Sequence, residues 1–313
     1  MYLIIKFLKN SFKFFCVITL LSFANPLFAK VEKINYRGWK NCYQISNSIS
    51  KLIIVPESGG RLLAFTHKGK NILFEDSNQN GKSFKQWLDQ HFDPDGGRLD
   101  YGPEKETDKL HHKTWMGVWK VKFIGQNSII IYSENDCMLG LYSERQYTLH
   151  KSLAQISIFQ SATNVSNKIL TRHFWSRTLV HPGGEVVIKL NSKSRFKNGW
   201  GQFLFDPDRI EENRADSRLT IKNNFINFKS LGNTFKFGTD TDTGLIDYYY
   251  NGLKFQKRYL VGSLTNYTAS NNMSVIFYHC PSFFEIEPTS ETIRLKPGEK
   301  MFFTEEWNLT EKK

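Results

Sequence analysis

Two groups of residues have the types and spacing that proton transfer and hydrogen bonding to a polar ligand would require. The first is Phe283-Phe284-Glu285-Ile286-Glu287-Pro288. Side chains alternate along an extended strand, so Glu285 and Glu287 share one face and Phe284 and Ile286 the other. Two carboxylates held close repel, which drives one pKa upward, toward that of a useful general base. The competing reading of this pair is an ordinary polar outer face. The second group is His173-Phe174-Trp175-Ser176-Arg177-Thr178-Leu179-Val180-His181. Extended, it aligns His173, Trp175, Arg177, Leu179 and His181. A solvated strand face normally carries Thr, Lys and Glu. Trp between His and Arg instead makes a platform on which a sugar ring stacks while Arg177 donates to its hydroxyls.

A third candidate is Asp95-Gly96-Gly97-Arg98-Leu99-Asp100-Tyr101-Gly102-Pro103-Glu104, followed by His111-His112-Lys113-Thr114-Trp115. The glycines admit close backbone approach, and Arg98, Asp100, Glu104, His112 and Trp115 are candidate ligand-binding side chains. Adjacent histidines point to opposite sides of a strand and chelate poorly, so no metal is expected. Ser58-Gly59-Gly60-Arg61 reads as a bulge or tight turn, with Arg61 a further candidate ligand.

The elements that must position these residues are strands. Leu52–Val55, Ile129–Tyr132, Val186–Ile188, Tyr259–Val261 and Val275–Tyr278 are short β-branched or aromatic runs bounded by Gly, Asn, Pro and Ser. Gln155–Gln160 and Thr292–Lys296 alternate with the period of two of half-buried strands. Only Phe84–His91 has helical spacing. The stretch from Glu75 to Lys113, rich in Gly, Pro and Asp, reads as a long functional loop. No linker or repeat interrupts the chain. The expectation is an all-β protein of two large, mostly antiparallel sheets packed face to face in one domain, residues 30–313.

Residues 1–29 read as a signal peptide. Lys6, Lys9 and Lys13 precede the apolar run Phe14–Phe23, and a helix breaker, Pro26, and Ala29 follow. Cleavage after Ala29 would export the chain to the periplasm or the exterior, with no transmembrane segment in the mature protein. It would lower Lys+Arg from 42 to 39 against 30 acids, a net charge of about +9. The basic residues are scattered, without the run that marks a nucleic-acid arm. Cys42, Cys137 and Cys280 remain, too far apart in sequence for a zinc site. They leave both one disulfide and free thiols open. Phosphate loops, dinucleotide fingerprints and a nucleophile elbow are absent, and no cofactor is expected.

Several segments in one order resemble the galactose mutarotase-like (aldose 1-epimerase-like) superfamily, especially its exported members. They are Trp39–Asn47, Gly59-Gly60-Arg61, Gly96-Gly97-Arg98 with Gly102-Pro103-Glu104, Thr163–Asn167, Trp175 and Pro182-Gly183-Gly184. Phe284–Pro288, Leu295–Glu299 and Glu305–Leu309 complete the order, which covers nearly the whole mature chain. The resemblance implies a β-supersandwich with a carbohydrate site on its concave face. It also implies His173 as the acid that protonates the ring oxygen, and Glu287 or Glu285 as the base that takes the anomeric proton. The family's His-x-Tyr-Phe-Asn-Leu style motif reads His173-Phe174-Trp175-Ser176-Arg177-Thr178 here.

The function expected is therefore carbohydrate binding, with aldose 1-epimerase activity as its catalytic form. A non-catalytic envelope glycan binder is one alternative. A polysaccharide lyase or hydrolase, using Tyr101 or Tyr248, is the other.

Overall fold

The computed structural model describes residues 29–82, 93–107, 112–205, 208–212 and 215–312. The expected helix over Phe84–His91 and the N-terminal export segment through Phe28 lie outside these residues. Among the described residues 23 strands form two antiparallel sheets, one of thirteen strands and one of ten. No described helix is long and apolar enough to cross a membrane.

Alternation builds the sandwich. In Leu141–Leu149 every odd-numbered residue is buried, and Lys300–Glu311 repeats the pattern over most of its length. The inward sets of the ten-stranded sheet, among them Tyr147, Ile158, Phe303 and Trp307, meet Phe174, Phe237, Phe284 and Ile286 of the larger sheet in one core. Much of the phenylalanine content is spent there in ring-on-ring contacts. Phe174 stacks on Phe303 with centroids 5.9 Å apart, and Phe277 lies parallel to Phe284 at 5.9 Å.

The strand Leu170–Val180 lies near the middle of the larger sheet. Gly97–Gly102 pairs on one side of it, and Phe284–Pro288, Val275–His279 and Phe235–Thr239 follow in order on the other. The register sets Arg177 opposite Arg98, Trp175 opposite Asp100 and His173 opposite Gly102. Across the other edge Leu179 faces Glu285, which in turn faces Tyr278, and Tyr278 faces Lys236.

Gly97–Gly102 corrects the expected Glu75–Lys113 loop. It is a fully buried strand inserted between Arg61–His67 and Leu170–Val180. The sequence Gly-Arg-Leu-Asp-Tyr-Gly has no β-branched residue, and intrinsic preference is against it. Leu99 and Tyr101 join the core, and that packing overrides the preference. A smaller correction falls at Tyr259–Val261. The strand Leu253–Tyr259 stops at its start, and Leu260 is 79% exposed.

Residues 56–60 form the expected tight turn before Arg61. Gly59 has φ +71°, and a Cβ there would sit 2.0 Å from the Trp115 carbonyl oxygen. Only glycine lets this turn dock the short helix His112–Met116, which it does through a 2.8 Å bond from the Gly59 amide to the Gly117 carbonyl.

Charge is also buried between the sheets. The Lys257 ammonium lies 3.0 Å from the Glu305 carboxylate and donates to the Thr178 hydroxyl at 2.8 Å. Arg145, equally buried, donates to the Gly97 carbonyl. Two strands flanking the site are thus fastened from behind by the opposite sheet. Cys42, Cys137 and Cys280 are free thiols.

Candidate functional site

Because Phe174, Val180, Phe284 and Ile286 fill the core, the alternate residues of the same strands must point away from it. His173, Trp175 and Arg177 therefore share a face with Glu285 and Glu287, as the sequence predicts. Trp175 donates its indole N–H to Glu287 Oε2 at 2.6 Å. Arg177 lies over the same indole, 4.6 Å from its centroid, and holds Glu285 at 2.9 Å and Asp100 at 3.2 Å.

The cluster contains two guanidiniums and four carboxylates. Arg98 bonds Asp93 at 2.5 Å and Asp100 at 3.1 Å, and it approaches Glu285 to 3.6 Å. Trp115 donates to the other Asp100 oxygen at 2.6 Å. Burial opposes the charge on Glu285, but Arg177 and Arg98 outweigh it and hold that carboxyl below the usual range. At Glu287, burial and then the Glu285 charge act together, and the carboxyl is pushed well above its ordinary value. The two carboxyls are thus driven apart, Glu285 downward and Glu287 upward.

A cleft of about 280 Å³ opens beside this cluster. His173, Trp175, Ile276, Thr289, Phe203, Lys236, Glu104 and Ser270 are among the residues that line it. The Lys236 ammonium sits 5.7 Å from the Trp175 ring, 5.1 Å from the Phe203 ring and 3.4 Å from the Glu104 carboxylate. Glu285 and Glu287 are both 0% exposed. They do not line the cleft, and Glu287 connects to it through Trp175.

His173 is 3% exposed, and its Nδ1 is buried without a hydrogen-bond partner. Burial first, then the Arg172 charge, lower its pKa to about 4, so the imidazole is neutral at pH 7. Its ring lies on Gly102, where a Cβ would fall 1.9 Å from Cε1 and 2.2 Å from Nε2. Gly102→Ala is therefore expected to expel the ring from its seat and cost about 1–3 kcal/mol of stability. NMR titration of the His173 resonance should find its pKa moved up toward 6.5. An unmoved titration would show that the glycine does not set the histidine.

No family model matches this sequence, and no curated protein is significantly similar to it. Solved structures are similar in shape. A galactose mutarotase-like protein from Clostridium acetobutylicum superposes with a TM-score of 0.60 at 10% identity, covering 91% of this chain and 99% of its own. A galactose mutarotase-like protein from Lactobacillus casei superposes with a TM-score of 0.59 at 11% identity, over 86% of this chain and 100% of its own. The chain has the galactose mutarotase-like fold. The same fold also matches 47% of a larger TPR-domain containing protein from Parabacteroides distasonis, with a TM-score of 0.61 at 13% identity over 87% of this chain.

On this mutarotase-like framework the remaining sequence candidates divide. Glu104 reaches the cleft. Arg98, Asp100 and Trp115 brace Arg177 instead of lining the cleft. Arg61 is a correction: it is fully buried, paired with Asp95 at 2.6 Å and bonded to Ser58 and Gln79. An arginine so enclosed stabilises the turn and cannot meet a ligand. His181 is also displaced, one residue past the end of Leu170–Val180, stacked on Tyr250 at 5.5 Å. His112 begins the His112–Met116 helix, and its side chain lies outside the described residues.

Tyr101 and Tyr248 are core residues, bonded through their hydroxyls to Ser143 and to Ser230 and the His181 carbonyl. Burial raises both phenols, so neither is placed for β-elimination. Lys236 and Asp93 belong to the site and were not singled out from sequence. Lys236 had a signal: core-facing Phe235 and Phe237 leave it nowhere to point but the site face.

Proposed function

We propose that the protein binds a saccharide in the Trp175 cleft and interconverts its anomers, with His173 at the ring oxygen and Glu287 as the base once the Trp175 indole that now covers it turns aside. The supporting observation is that His173 and Trp175 share one cleft wall while Glu287 bonds the same indole. Trp175, 4% exposed and covered by Arg177, offers the sugar only an edge, and Lys236 and Glu104 meet its hydroxyls. Ring opening needs a proton removed from the anomeric hydroxyl and one supplied to the ring oxygen. Once ionised, Glu287 takes the anomeric proton as the ring C–O bond breaks, neutral His173 donates a hydrogen bond to the departing ring oxygen, which draws its proton from water, and Glu287 returns its own to solvent. We place this activity in an exported protein, processed after Ala29. Sequencing the N-terminus of the cell-processed chain should begin at Lys30.

The pH profile tests the proton assignment. Polarimetry of freshly dissolved α-D-glucose and α-D-galactose should show enzyme-catalysed mutarotation rising with pH as Glu287 ionises. No histidine limb is expected near 6.5, because His173 stays neutral down to about pH 4. A descending limb between pH 6 and 7 would refute the assignment, and no acceleration at any pH would remove catalysis altogether.

A non-catalytic saccharide binder is the second reading. The favouring observation is that Glu287 is fully buried with one oxygen held by Trp175. It predicts sugar-dependent Trp fluorescence without any change in the mutarotation rate.

A further inference from the structure

We propose that the saccharide is the end of a chain, and that a row of half-buried aromatic rings beyond Arg177 carries its next residues. The inference rests on the reading above and concerns the same concave face. Past Arg177 and Glu285 the strands present Tyr278, Phe283 and, after Leu179, His181, and Phe74 lies alongside. The rings form a continuous run. Tyr278 to Phe283 is 6.0 Å, Phe283 to Phe74 is 5.7 Å, and Phe74 to His181 is 6.0 Å. None of the four is fully buried, although each has an adjacent residue that enters the core.

An apolar row of this size on a soluble face asks for a partner, and its chemistry names one. Two rings carry polar tips, Tyr278 and His181, so the row offers stacking faces and hydrogen-bonding edges together. Saccharides need both, whereas a lipid surface or an apolar helix would need only the first. The row is also continuous with the cleft. Tyr278 faces Glu285 on one side and Lys236 on the other, and Lys236 reaches Trp175. Trp175 and His181 are six residues apart, roughly 20 Å at about 3.3 Å per residue, and since Leu179 between them is buried the path from the cleft runs over Lys236 and Tyr278. That length accommodates several pyranose rings end to end, with the reducing residue in the cleft. This also gives His181 the ligand contact expected of it, at a distance from the proton-handling pair.

Calorimetric titration with glucose and galactose, and with malto-, cello- and laminari-tetraose, tests the proposal. At least one tetrasaccharide should bind about tenfold or more tightly than its monosaccharide, as stacking on two or more rings implies. Phe283→Ala and Phe74→Ala should erase that difference and leave monosaccharide affinity alone, with Phe283→Leu as the bulk-preserving check on folding. Equal affinity at every chain length, or proportional weakening of mono- and tetrasaccharide, would overturn it. Binding of no saccharide at all would bring down this proposal and the proposed function together. Monosaccharide turnover without a length effect would bring down the aromatic row alone.

Discussion

Replacing Arg177 by methionine is expected to destabilise the protein by about 3–5 kcal/mol, measured as a lower denaturation midpoint in urea. Arg177 is the partner of Glu285 at 2.9 Å and of Asp100 at 3.2 Å, and both acids are completely enclosed. Methionine fills the space but leaves Glu285, among the described residues, with the 3.6 Å approach of Arg98 as its remaining cation. The cost arises from uncompensated buried charge, so it should shrink when the charge is removed. Arg177→Met with Glu285→Gln should recover part of the loss. Arg177→Lys keeps the charge but not the fork that serves two carboxylates, and should fall between. If the double variant were no more stable than Arg177→Met alone, lost packing over Trp175 would be the cause.

Glu287→Gln is expected to lower mutarotation by about 10²–10⁴-fold, the usual worth of a general base, and to stabilise the fold at neutral and alkaline pH. The two effects share one origin. The folded-state pKa of Glu287 lies above its unfolded value because of burial and the Glu285 charge. Between those two values the folded chain holds a proton that the unfolded chain has released. Stability contributed by that proton is present at low pH and is lost as pH rises through the folded pKa. Glutamine has no such slope, so the variant's advantage over the parent should grow from pH 4.5 upward. The bond to Trp175 survives, since the amide oxygen still accepts. Retained turnover in Glu287→Gln would reassign the base. A stability difference flat in pH would show that Glu287 is ionised in the folded state.

The sandwich was legible because its strands obey a period of two. Gln155–Gln160 and Thr292–Lys296 alternate in the sequence, and the structure has strands at Gln155–Asn164 and Ile293–Leu295. The same rule put Glu285 beside Glu287 and His173 beside Trp175 and Arg177. It failed where local preference and long-range pairing disagree. Gly97–Gly102 looks like loop from its glycines and becomes a central strand only because Leu99 and Tyr101 find a core supplied by both sheets. Arg61 misled for a related reason. An arginine after two glycines looks the same in sequence whether it faces a ligand or, as here, an aspartate 34 residues further on. The depth of Glu287 was not legible either, since it depends on which rotamer Trp175 adopts above it.

The fastening behind Leu170–Val180 decides where this molecule can give way. Lys257 reaches across from the opposite sheet to Thr178, between Arg177 and Leu179, and Arg145 does the same at Gly97. Shifting either strand would tear buried ionic and polar contacts, so the back wall of the cleft is anvil-like. Accommodation to differently shaped guests falls instead to the rim segments, the short helix Glu104–Thr107, held by the partly exposed pairs Arg172–Glu106 and Lys236–Glu104, and the turn Thr268–Ser270, held by local bonds of Ser270. Retuning what enters should therefore be attempted at the rim, with the wall left untouched.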